Sequence, residues 1–127
     1  MQQFPRMFTA EEANGLLEEL RPLVEEMLAI RAGVIELQPD LEPVLQKVVG
    51  NGHNINSPAL LEAFDHLKGI LARLSALGVL VKDVNTGLLD FPSIRDGRIV
   101  FLCWQHDEPR VAYWHDLDAG FAGRQPI

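Results

Sequence analysis

Residues Arg98–Ile127, RIVFLCWQHDEPRVAYWHDLDAGFAGRQPI, decide the fold. Both tryptophans, the only cysteine, the only tyrosine and two of the four histidines lie there. Ile99–Trp104 is apolar at successive positions, which predicts a central strand covered on both faces. Gln105–Pro109 is predicted to turn the chain and Arg110–His115 to form the last strand. Upstream, Leu88–Phe91 reads as a short strand, and Pro92–Gly97 (PSIRDG) as a turn in which Asp96-Gly97 is the strongest signal. The expectation is a three-stranded antiparallel sheet followed by an irregular tail, Asp116–Ile127.

Before residue 79 the period is helical. Thr9 and Glu12 have capping-box spacing, with Phe8 and Ala13 at the staple positions. Apolar residues then recur every three or four positions from Ala13 to Leu37, which predicts one long helix with a buried face. Pro22 should kink it and Pro39 end it. Leu41–Val48 suggests a short second helix, and Gly50–Asn54 a loop. Ser57-Pro58 opens a third helix with its seam at Leu60, Phe64, Leu67, Leu71 and Leu74, capped by Gly78. The expected fold is α+β: an antiparallel hairpin of two long helices plus a short one (8–78), packed on the sheet and tail (79–127). The 127 residues are read as one domain.

Net charge is −7, with 11 Lys and Arg against 18 Asp and Glu. Duplex nucleic acid binding draws on Lys and Arg at phosphates, so this balance opposes it. Single-stranded nucleic acid stacking on Trp104, Trp114 or Tyr113 would have only Arg98, Arg110 and Arg124 nearby. No apolar run approaches the ~20 residues of a membrane helix. The opening MQQFPRMFTAEE lacks signal-peptide features. A single cysteine excludes an intrachain disulfide and suits a reducing cytoplasm. Glu11-Glu12, Glu18-Glu19 and Glu25-Glu26 repeat every seven residues and read as a solvated face. The Glu-x-x-His pattern of di-iron bundles is absent, and His66 and His53 are expected to be exposed.

Two hairpin registers locate a candidate site. With the second hairpin turning at Gln105–Glu108, Trp104 meets Pro109 and Arg98 meets His115. Cys103 is then about five residues from His115, roughly 15 Å at ~3.4 Å per residue, too far for one zinc ion. Cys103 is accordingly read as a small buried hydrophobe. The first hairpin is expected to set Asp90 opposite Ile99, beside Arg98. Asp90, Arg98, His115 and Asp116 then converge at one end of the sheet, with Lys82, Asp83 and Arg124 within reach. If any metal binds, His115, Asp116 and Asp90 are its expected ligands; no cofactor is called for. The cluster reads either as a base or ligand site or as an ion-pair network pinning the tail. Trp104, Trp114 and Tyr113 read either as core closure or as interface anchors.

Several segments resemble a known family: FTAEEAN (8–14), Gly50-Asn51-Gly52, VKD (81–83), GLLDFP (87–92), LCW (102–104), YWH (113–115) and GFAGRQP (120–126). Together they are similar to the small bacterial proteins of domain of unknown function (DUF) family 2203. Gln105-His106-Asp107 departs from the glycine-containing turn expected there, which weakens any role for His106. The resemblance implies a bacterial cytoplasmic protein and no particular activity. Walker, GxSxG, HExxH, CxxC and GxGxxG motifs are all missing. Two functions remain in view. One is a non-catalytic interaction or regulatory domain that self-associates or binds a protein partner. The other is a small-ligand or metal-dependent enzyme with His115 as base or ligand and Arg98 and Arg124 holding an anion.

Overall fold

A computed structural model describes residues 3–51 and 57–127. Helix α1 spans Ala10–Leu37 and runs on through Pro22. Thr9 and Glu12 form the reciprocal capping box. A 3-10 turn, Pro39–Val44, leads into α2, Leu45–Asn51. The helix therefore takes in Gly50 and Asn51, which the sequence assigns to a loop; Gly52–Asn54, with His53, fall outside the described residues. Helix α3, Pro58–Ala76, starts at the N-cap Ser57 and stops before Gly78, whose φ is +87°. It lies antiparallel to α1: Glu26 pairs with His66, while Glu19 and Leu23 line one hollow with Arg73 and Ala76. All six heptad glutamates are exposed.

The fold is α+β, but the sheet has five strands where three are expected. They are β1 (Leu80–Asp83), β2 (Leu88–Arg95), β3 (Arg98–Gln105), β4 (Tyr113–Asp116) and β5 (Gln125–Pro126), antiparallel in sequence order. The tail is not irregular throughout. After a 3-10 turn at Phe121–Gly123 it returns as β5 along β4. Gln46 from α2 guards the outer edge of β1, donating to the Val81 carbonyl and accepting from the Val84 amide. That satisfies backbone groups an open edge would leave for another chain.

Both expected registers are wrong, for identifiable reasons. Arg95 pairs with Arg98, so the first hairpin turns on Asp96-Gly97 alone. Their φ values of +52° and +78° suit the tight two-residue turn that matches strand twist. Strand β2 therefore continues through Pro92, and Asp90 faces Cys103 rather than Ile99. Proline is admissible because β1 pairs only as far as Asp90. Beyond it, the Pro92 carbonyl accepts from the Phe8 amide at 2.7 Å.

In the second hairpin Phe101 pairs with His115 and Cys103 with Tyr113. The connection is longer than expected because residues 108–111 dock on α1. Arg21 donates to the carbonyls of Glu108 and Pro109. Asn14 acts as a surrogate strand: Oδ1 accepts from the Val111 amide at 2.7 Å and Nδ2 donates to its carbonyl at 3.1 Å. The Trp104 indole N–H closes the loop on the Glu108 carbonyl at 3.0 Å. Asn14→Ala should cost about 2–3 kcal/mol in urea unfolding, because buried Val111 loses both partners. A loss below ~0.5 kcal/mol, within the range of an ordinary surface substitution, would show that this anchor does not hold the loop.

Candidate functional site

Strand alternation divides the sheet chemically. Leu89, Phe91, Val100, Leu102, Trp104 and Trp114 join the core shared with the helices. Asp90, Phe101, Cys103, Tyr113 and His115 occupy the opposite face. The N- and C-terminal segments roof that face. Phe4 packs edge-on against Phe101 at 5.5 Å, and Arg124 lies over both Tyr113 and Phe121 at about 4 Å.

Asp90, Cys103 and His115 meet beneath this roof. Cys103 is directly opposite Asp90, and His115 is diagonal to Cys103 across the β3–β4 pair. One donor atom from each lies within 4.8 Å of the others. The residues are 1%, 0% and 3% exposed, respectively. The 15 Å separation expected for Cys103 and His115 is thus replaced by contact range, because the longer loop slides β4 by three residues. The cysteine set aside on sequence grounds belongs to the site.

His115 carries the decisive geometry. Its Nδ1 lies 2.8 Å from the Asp116 carbonyl, which only accepts, so Nδ1 donates. Its Nε2 faces Asp90, at 3.1 and 3.2 Å from the two oxygens. At that distance a proton on Nε2 or a bound cation lies between ring and carboxylate. Burial pushes the Asp90 carboxyl above its usual range, against the pull of His115, Lys82 and the Cys103 thiol. Burial, and then Asp90, push the Cys103 thiol up to about 12 despite Arg124.

The remaining expected residues divide between the two faces. Lys82 reaches the cluster, with Nζ 3.9 Å from Asp90 Oδ2 and 4.3 Å from the Phe101 ring centre. Arg124 donates to Cys103 Sγ at 3.8 Å. Asp116 gives the cluster only its carbonyl. Its carboxylate pairs with Arg98 at 3.0 Å, on the Trp114 face where Arg95 and Arg98 also stack. Arg98 and Asp116 therefore do not converge with Asp90 and His115 as expected. The Asp83 carboxylate is used in the β1–β2 turn, accepting from the Asn85 amide. Trp104 and Trp114 are buried in the core, and Tyr113 is half-buried beneath Arg124.

The family model described as an uncharacterized conserved protein (DUF2203) matches residues 6–127. The chain belongs to this family. No curated protein and no solved structure matches it. The DUF2203 match spans the three clustered residues, the Asn14 anchor and the tail that roofs the site. No helix among the described residues is long and apolar enough to cross a membrane.

Glu108 fastens the roof, a role the sequence did not suggest. Arg124 donates to its two oxygens at 2.9 and 2.7 Å, and the Gln105 amide donates to Oε1 at 2.7 Å. Burial alone would raise the Glu108 carboxyl, but the Arg124 and Gln105 bonds outweigh it and hold the group below its ordinary range. The resulting stabilisation is complete above that range and is lost as pH falls through the depressed value. Glu108→Gln should cost about 1.5–3 kcal/mol in urea unfolding at neutral pH. The gap from wild type should close in acid, below the ordinary value of about 4.3. A gap independent of pH would mean that the ion pair does not hold the tail.

Proposed function

We propose that this protein binds one divalent transition-metal ion through Asp90, Cys103 and His115. The observation that carries the reading is the orientation of His115. Its Nδ1–H is committed to a backbone carbonyl, and its Nε2 faces a carboxylate with a thiol alongside. Metal-bound histidines are ordinarily held this way, the outer nitrogen fixing tautomer and ring angle. One thiolate, one imidazole and one carboxylate suit zinc, and three protein ligands leave a fourth position for a small ligand. The setting we propose, a reducing bacterial cytoplasm, keeps Cys103 a thiol and available to a metal. Binding displaces the thiol proton, because the thiolate is the ligand.

Zinc titration of metal-stripped protein should give one equivalent bound. A free concentration of 100 Kd should stabilise the fold by about 2.7 kcal/mol in thermal unfolding. Cys103→Ser and His115→Ala should each weaken binding by more than ~100-fold, exceeding the effect of losing an outer-shell partner. Cys103→Ser tests the site should His115→Ala fail to fold. Absence of stoichiometric zinc and of any thermal shift would leave His115–Asp90 as a structural pair and refute the metal reading.

One observation favours a second reading, a non-catalytic interaction domain that associates with itself or a protein partner. At the far end of the helical pair Leu37 and Leu61 are 60% and 49% exposed. Beside them Ala29, Ile30, Gly33 and Ala63 line a hollow of about 320 Å³. Sedimentation equilibrium tests self-association there. A dimer converted to monomer by Leu37→Asp supports it, and a wild-type monomer at high concentration opposes it.

A further inference from the structure

We propose that the C-terminal strap, residues 117–127, is the gate through which the metal enters and leaves, latched by the Glu108–Arg124 ion pair. The inference rests on the metal reading and adds how that site is reached. Burial sets the problem. Asp90, Cys103 and His115 are 1%, 0% and 3% exposed, and an ion that exchanges its waters for these three donors needs a path to them. Binding also releases the thiol proton, so the path has to reach Cys103. Part of the roof must therefore move for the ion to pass.

The contacts single out the strap. The N-terminal segment of the roof meets the cluster at one remove: Phe4 packs on Phe101, and Phe101 on His115. Lys82 approaches the Asp90 carboxylate, at 3.9 Å. The strap covers the thiol itself, with Arg124 Nη1 3.8 Å from Cys103 Sγ. Apart from Arg124, its attachments are few. Strand β5 has two residues, both exposed, and pairs with β4 at two positions. Phe121 is 47% exposed, and the Ile127 amide adds one bond to the Ala112 carbonyl. Segments with so little buried surface open locally at small cost in free energy. The strong attachment is the fork of Arg124 on both Glu108 oxygens, between side chains 13% and 18% exposed. A weakly held segment closed by one strong pair has the form of a lid.

Two rates test the gate on the full-length protein. One is alkylation of Cys103, the only cysteine, by iodoacetamide in the metal-free form. The other is release of zinc to an excess of chelator. Glu108→Gln should raise both by at least ~10-fold, as expected for loss of a charge-assisted hydrogen bond. A latch that closes equally over the empty and the loaded site shifts no equilibrium, so zinc loading should accelerate by the same factor and Kd should hold within ~3-fold. Labelling should also be indifferent to low urea, which separates strap opening from global unfolding. Arg124→Lys, which keeps the charge and loses the fork, should act in the same direction, and it serves should Glu108→Gln fail to fold. Rates indifferent to both substitutions while zinc still binds would overturn the gate and leave the metal reading standing. Equal or greater acceleration by Phe4→Ala or Lys82→Ala would place the path elsewhere and overturn it too. Labelling that climbs steeply from the lowest urea would show that only global unfolding exposes the thiol, against a gate. Protein that binds no zinc would remove the metal reading and this inference with it.

Discussion

Asp96 and Gly97 both adopt positive φ, and the turn they make admits only one alignment of the two longest strands. In a sheet, a one-residue slip exchanges the buried face for the exposed one, so a two-residue turn acts as a ruler for everything paired beyond it. Here the ruler sets Asp90 against Cys103. It also sends Leu89, Phe91, Leu102 and Trp104 into the core shared with α1 and α3. Polar chemistry and apolar packing are thereby sorted onto opposite faces of the same strands.

The second alignment is fixed from outside the sheet. Asn14 and Arg21, on one helix, hold the backbone of residues 108–111, and β4 can begin pairing only after that excursion. A helix thus decides which β4 residue meets Phe101, and His115 arrives beside Cys103 as a result. The tail then closes the face through Arg124, which Glu108 holds from within the same loop. The loop serves both purposes: its length sets the register, and its half-buried carboxylate, Glu108, anchors the roof.

The helical half was legible in the sequence because its signals are local. Capping residues, apolar spacing and Gly78 each act within a few positions, and the long helices begin and end within a residue or two of those signals. In the sheet half, the central strand was legible from its doubly apolar run. Its neighbours were not. Pro92 suggested a strand end, although the adjoining edge is unpaired by β1 and tolerates proline. Gln105–Pro109 looked like a short turn because nothing local shows that Asn14, nearly a hundred residues away, captures Val111. The candidate site inherited both errors. The expected set of Asp90, Arg98, His115 and Asp116 keeps only Asp90 and His115 together, and Lys82 and Arg124 are two of the residues expected within reach. Arg98 and the Asp116 carboxylate lie on the other face, and the distance that sets Cys103 apart is abolished by the true register. The Asp96-Gly97 pair, taken literally as a two-residue turn, would have placed Asp90 opposite Cys103.

What the two registers create is a buried imidazole facing a carboxylate, with a thiol in reach of both. In the proposed reading a metal ion, rather than a proton alone, lies between them. X-ray absorption at the zinc edge of the zinc-loaded protein tests that claim most directly. The account predicts one sulfur at about 2.3 Å with nitrogen and oxygen neighbours at about 2.0–2.2 Å. A zinc environment containing only nitrogen and oxygen, with no sulfur, would contradict it.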